Sequence, residues 1–154
     1  MTKTYILWAD DEIEFLKPHI LLLEERGFRV KTVNNGNEAV EAFDNEPFDI
    51  VFLDENMPGL TGLETLNILK TINPTVPMVL VTKNEEEHLM EEAIGAKIDD
   101  YLIKPVNPKQ IILTIKKFTE NKKLIIEKTS MAYLPEFRNL AETINNNLNV
   151  NEWT

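Results

Sequence analysis

The sequence predicts an α/β domain: a five-stranded parallel doubly wound sheet with five helices, followed by a C-terminal helical extension. Three observations predict it. Five short apolar runs recur up to about residue 118, amphipathic segments alternate with them, and the polar residues able to do chemistry fall just after the ends of the runs. Such alternation is what βα units joined into a parallel sheet require.

The strands are expected at Tyr5-Ile6-Leu7-Trp8-Ala9, Val30 to Val33, Ile50 to Leu53, Met78 to Val81 and Tyr101 to Ile103. Three of these are almost wholly apolar, as strands covered on both faces should be. Ile13, Leu16, Ile20 and Leu23 fall at helical spacing, with Gly27 as the stop after Arg26 and Pro18 expected to kink the segment. Asn37 to Phe43, Leu63 to Leu69 and Leu89 to Ile94 give three further helices. A fifth, marked by Ile111, Ile115 and Phe118, opens with Pro108 near its first turn. Residues 1–118 therefore make one domain and residues 119–154 a helical connector. There Leu124 to Ile126 prolong the last helix, a break falls near Thr129-Ser130, and Tyr133 to Ile144 carry another helix.

Composition narrows the function. With 43% hydrophobic and 27% charged residues the balance is that of an ordinary globular protein. A formal net charge of −10 argues against nucleic-acid binding by this segment, and the Lys116-Lys117 and Lys122-Lys123 pairs are diluted by Glu120 and Glu127. With no cysteine, neither disulfides nor thiolate metal sites arise. The first apolar run is too short for a signal-peptide core or a membrane span, so no membrane association is expected and the chain reads as cytoplasmic.

Asp10 and Asp11 close the first strand, Asp54 the third and Lys104 the fifth. In a doubly wound sheet these ends converge where ligands bind. Three carboxylates in one crevice repel each other unless a cation compensates, and all-oxygen ligands select a hard ion such as Mg²⁺. Taken singly, each residue has a plainer explanation. Asp10 or Asp11 could cap a helix, Asp54 could precede the Met57-Pro58-Gly59 turn, Lys104 could be a surface lysine, and Thr82 a turn residue after the fourth strand. Their joint placement at strand ends favours a site, in which Thr82 supplies a neutral hydrogen-bond donor.

The set Trp8-Ala9-Asp10-Asp11-Glu12, Phe52 to Gly59, Val81-Thr82 and Asp100 to Pro105 resembles the receiver (CheY-like) domains of bacterial two-component response regulators, over residues 4 to 118. That resemblance implies a flavodoxin-like fold and a phosphoryl group accepted on Asp54 from a sensor histidine kinase. It implies that Mg²⁺ is held by Asp11 directly, by Asp10 through water, by Asp54 and by the Asn56 carbonyl. Lys104 would pair with the phosphoryl oxygens, Thr82 would move to hydrogen-bond them, and Tyr101 would rotate inward as the switch. The Lys104-Pro105 bond would be cis. Lys83 stands where receivers commonly carry a small residue; it either reaches the phosphoryl group or points outward. Lys97 stands where many receivers carry Gly. The segment Glu127 to Arg138, with Asn146 to Trp153, is similar to the connector of PorX-type regulators of Bacteroidetes, in which a PglZ output domain follows. A helical tail of this kind otherwise serves dimerisation or docking, giving a homodimer through the last helices.

Two rivals stand beside the receiver. A phosphatase resembling the haloacid dehalogenases would also place a nucleophilic Asp after a strand, but it needs a second Asp two positions on, where this chain has Asn56. A receiver-shaped interaction module that is never phosphorylated would have no use for a self-repelling acidic pocket.

Overall fold

A computed structural model describes residues 3–83, 95 and 98–131, with side chains up to residue 120. Five strands form one parallel sheet: β1 (Tyr5–Ala9), β2 (Arg29–Val33), β3 (Ile50–Asp54), β4 (Met78–Thr82) and β5 (Asp100–Ile103). Their order is β2-β1-β3-β4-β5. Strand β1 thus sits between β2 and β3, pairing Leu7 with Lys31 on one side and with Val51 on the other. The chain reverses its direction of winding there, and the crevice of a doubly wound sheet opens at that point.

Period-two alternation divides the core into two layers. Tyr5, Leu7 and Ala9 pack with Val51, Leu53, Ala39, Phe43, Leu66 and Leu69, so helices α2 (Gly36–Asn45) and α3 (Gly62–Ile72) cover that face. Ile6 and Trp8 point the other way, to Phe52, Val79, Val81, Leu23, Ile111 and Ile115, beneath α1 (Lys17–Glu25) and α4 (Pro108–Met131). Every residue of β1, β3 and β4 is buried. That is why these strands read as continuous apolar runs, whereas β2 and β5, at the sheet edges, carry exposed residues.

Local signals fix the helix ends. Asn35 Oδ1 accepts from Glu38 N at 2.8 Å to start α2. Thr61 and Glu64 form a reciprocal capping box at α3. Gly27, at φ +90°, ends the α1 segment in the left-handed region.

Two expectations are corrected. Pro18 does not kink one long helix: a 3-10 turn at Ile13–Leu16 comes first, and Pro18 lies in the first turn of α1. A proline costs little there, because first-turn N–H groups have no intrahelical partner. Helix α4 also runs past the break expected near Thr129-Ser130, reaching Met131. The helix expected at Leu89 to Ile94, Lys97, and the tail from Tyr133 onward lie outside the described residues. The described residues contain four α-helices, and none of them is long and apolar enough to cross a membrane. The site lies in the compact unit that ends at Phe118.

Candidate functional site

Asp10 follows β1 and Asp54 is the last residue of β3, so parallel pairing of the two strands delivers both side chains to the same edge. Asp11 is the next residue of the β1–α1 loop. One carboxylate oxygen from each of Asp10, Asp11 and Asp54 lies within 4.8 Å of the others. Asp10 and Asp54 are 1% and 3% exposed, while Asp11 faces solvent. Lys104, just after β5, reaches this group: its Nζ stands 3.0 Å from Asp10 Oδ2 and 3.2 Å from Asp54 Oδ1.

Neighbouring backbone holds these groups in place. Asp10 Oδ1 accepts from Glu12 N at 2.8 Å, so this carboxylate organises the loop with one oxygen and binds Lys104 with the other. Behind Asp54, Glu55 O accepts from Gly62 N at 3.0 Å and Glu55 Oε2 accepts from Leu63 N at 3.0 Å. These bonds pin the start of α3 against the end of β3. A Cβ added to Gly62 would lie 2.5 Å from the Asp54 carbonyl oxygen, an approach that only glycine permits. Lys104 N donates to Thr82 O at 2.9 Å, which registers the lysine loop on β4.

The electrostatics follow from burial and crowding. Desolvation pushes the Asp54 carboxyl up from 3.8 to about 6, the Asp10 charge pushes the same way, and Lys104 with the Asn56 backbone hydrogen bond only partly offsets them. Burial alone would depress the Lys104 ammonium. Its hydrogen bond to Asp10 and the charges of Asp54 and Asp10 outweigh that, and its pKa is raised. Lys104 is therefore a cation throughout the physiological range, and the carboxylates retain a net excess of negative charge. An all-carboxylate oxygen set with such an excess suits a hard divalent ion and not a soft one.

The sequence-derived residues are not all in one place. Asp11, Asp54, Asn56 and Lys104 line a small cavity of about 130 Å³, together with Glu12 and Lys83. Thr82, 2% exposed, ends β4. The Lys104-Pro105 bond is cis. Tyr101 stands apart: it is 36% exposed on the edge strand β5, in register with Leu80. Sequence reading missed the Glu55 tether to α3. It also missed a second cavity of about 550 Å³ beside the first, walled by Trp8, Phe15, His19 and Val106 and sharing Glu12, Lys83 and Lys104. There His19 Nε2 hydrogen-bonds Val106 O at 2.8 Å, linking α1 to the loop after Pro105. An aromatic at the end of a buried strand was the available signal.

A doubly wound sheet with an acidic crevice and Lys104 at its carboxyl edge defines a class of α/β domains, and comparison with known proteins narrows that class. The response regulator receiver domain family model matches residues 6–116. The chain is 38% identical over 113 residues to the transcriptional regulatory protein CpxR homolog of Haemophilus influenzae, covering 72% of this chain and 48% of that protein. It is 36% identical over 110 residues to the transcriptional regulatory protein ZraR of Klebsiella oxytoca, covering 71% and 25% respectively. It thus spans a quarter to a half of the length of these curated relatives. Among solved structures, a CheY-like receiver domain protein from Methanospirillum hungatei superposes with a TM-score of 0.75 at 28% identity, covering 79% of this chain and 98% of that one. The receiver domain of a Pseudomonas aeruginosa sensor histidine kinase, 23% identical with a TM-score of 0.69, shares the fold over 76% of this chain and 98% of its own; that structure is described with a magnesium ion in its active-site cleft. The chain belongs to the response regulator receiver domain family. Its fold is CheY-like, and receivers of this family act in two-component signalling as aspartate phosphoacceptors supplied by histidine kinases.

Proposed function

We propose that Asp54 is the phosphoacceptor of this receiver and that its phosphorylation switches an output outside the described residues. The observation that carries this reading is the meeting of Asp10, Asp11 and Asp54 within 4.8 Å, with Lys104 Nζ bridging Asp10 and Asp54. Of the three carboxylates, Asp54 combines a rigid strand position with a lysine already aimed at the place where a phosphoryl oxygen would sit. Phosphoryl transfer needs in-line positioning and charge neutralisation more than covalent activation, and a fixed carboxylate beside a permanent cation supplies both.

Asp10, Asp11, Asp54 and the Asn56 carbonyl would hold Mg²⁺, which when bound supplies positive charge against the phosphoryl oxygens. Asp54 provides the attacking oxygen. Lys104 retains its proton and neutralises the transferred group. The Thr82 hydroxyl donates to a phosphoryl oxygen once the group is in place, and Tyr101 turns toward the space Thr82 leaves, past the loop carrying Pro105. Phosphorylation adds about −1.5 to −2 charge units, and a bias of about 1.4 kcal/mol changes occupancy of the active surface tenfold. Asn56 carries no titratable proton for repeated hydrolysis, so the domain is a phosphoacceptor with at most slow self-dephosphorylation. The donor is a sensor histidine kinase, and the chain works in the cytoplasm. Residues 119–154 are a helical connector, similar at 127–138 and 146–153 to the PorX type, leading to a PglZ-like output, with a homodimer through the last helices as the alternative use of that segment.

Incubation with acetyl phosphate and Mg²⁺ tests the reading. Intact mass should rise by one phosphoryl group, Asp54→Ala should abolish the gain, and an equal gain in Asp54→Ala would refute the assignment.

A further inference from the structure

Glu55 stands between the acceptor Asp54 and the expected metal ligand Asn56, and the fold fastens it to two other elements. Its N–H donates to Val81 O at 3.0 Å, which carries the β3–β4 pairing one residue past Asp54. Its carbonyl accepts from Gly62 N at 3.0 Å, and its carboxylate accepts from Leu63 N at 3.0 Å through Oε2. The first N–H groups of a helix have no partner inside it. On α3, Glu55 takes two of them and Thr61 Oγ1 takes the next, from Glu64 N at 3.1 Å. We propose that Glu55 is a positioning residue of the metal site, its carboxylate locking the β3–α3 loop so that the Asn56 carbonyl meets the divalent ion. This rests on that ion being held by Asp10, Asp11, Asp54 and the Asn56 carbonyl.

The peptide group joining Glu55 to Asn56 is held at both ends. Its oxygen accepts from Gly62 N, and its N–H, that of Asn56, donates to the Asp54 carboxylate. One rigid plane therefore ties the start of α3 to the acceptor side chain, and the Asn56 carbonyl, one residue on, takes its direction from that plane. Asn56 is itself exposed on the wall of the 130 Å³ cavity, so its orientation comes from these neighbours and not from burial. A single bond to Gly62 N would leave α3 able to turn about it. The second bond, from Leu63 N to the Glu55 carboxylate, removes that freedom, and a negative charge suits the positive end of a helix.

The packing leaves no slack for another arrangement. A Cβ on Gly62 would stand 2.8 Å from Glu55 Cα, so the bare backbone of α3 lies directly against this residue. Mg²⁺ demands near-ideal octahedral geometry and tolerates little displacement of a ligand oxygen. Groups that orient metal ligands from behind typically change affinity about 10- to 100-fold when removed. Glu55 acts in that way through the backbone, without touching the ion.

Position is separated from charge by Glu55→Asp, which keeps the carboxylate on a stem one methylene too short for Leu63 N, and Glu55→Gln, which keeps the acceptor oxygen without the charge. Thr61→Ala loosens the same helix end through its other cap. The ¹⁵N-labelled full chain, as wild type and each variant, is titrated with MgCl₂ alone at pH 7, and the Kd is read from the amide shifts of Asp11 and Asn56. Glu55→Asp should weaken Mg²⁺ about tenfold and speed hydrogen exchange of the Leu63 amide, while Glu55→Gln recovers most of the affinity. Thr61→Ala should lower stability to urea and keep the wild-type Kd. An unchanged Kd in Glu55→Asp, a Kd as weak in Glu55→Gln as in Glu55→Asp, or an equal loss in Thr61→Ala overturns the proposal. A wild type whose amides do not respond to Mg²⁺ refutes the metal site itself, and this inference falls with it.

Discussion

Asp54→Asn should make the protein more stable at pH 7 in the absence of divalent ions, although it removes a charge paired with a lysine. The Asp54 carboxyl sits at about 6 in the folded chain against 3.8 when accessible, through desolvation first and the Asp10 charge second. Between those values the folded state holds a proton that the unfolded state has lost. Stability therefore falls as pH rises from about 4 through 6 and stays low above. At about 1.4 kcal/mol per pKa unit, the full loss is about 3 kcal/mol. Asparagine keeps the shape and discards the charge, so the variant should exceed wild type by about 2–3 kcal/mol at pH 7 and match it closely near pH 4. Urea unfolding in EDTA, across pH 4 to 8, measures this difference directly and cancels the titration of every group the two proteins share. Mg²⁺ should narrow the gap: at about a hundred times its Kd, a ligand bound only by the folded state adds about 2.7 kcal/mol. A variant less stable than wild type at pH 7 in EDTA, or a difference independent of pH, would refute the electrostatic reasoning.

Two further substitutions separate charge from shape. Lys104→Met leaves Asp10 and Asp54, both nearly inaccessible, facing each other without a counter-ion; it should cost about 3 kcal/mol in thermal or urea unfolding and suppress phosphorylation by acetyl phosphate. Gly62→Ala forces a methyl against the Asp54 carbonyl and the Glu55 Cα, neither of which can rotate away; it should cost about 1–3 kcal/mol and slow phosphorylation by displacing β3 from α3. Gly27→Ala is its control: it meets open space at a positive φ, so it should cost about 1 kcal/mol by unfolding assays and leave phosphorylation unchanged.

The architecture was legible because burial on both faces leaves a continuous apolar signature. The apolar runs of β1, β3 and β4 could hardly be read otherwise, although Asp54 and Thr82 end β3 and β4 one residue beyond those runs; β2 and β5 begin one residue earlier than expected because Arg29 and Asp100 belong to edge strands that accept charge. Pro18 was misjudged because a proline in the sequence does not reveal whether the preceding turn is already helical; the 3-10 turn before it made the difference. The acidic residues and Lys104 were legible through position at strand ends, since parallel strands deliver their last residues to one edge. The Glu55 tether and the close approach of Gly62 were not, because both depend on where α3 starts relative to β3. Lys83 was visible as a lysine after a strand, but its place on the wall of two cavities needed the loops after β1 and β5 to be set in three dimensions.

The central claim, that Asp54 carries the phosphoryl group, is tested most directly by locating it chemically. After treatment with acetyl phosphate and Mg²⁺, borohydride reduction converts an acyl phosphate to the alcohol, so the modified aspartate becomes homoserine and peptide mass mapping identifies its position. Homoserine at position 54 alone is the predicted result. Homoserine at position 10 or 11, or none in a chain that has gained phosphate, would contradict it.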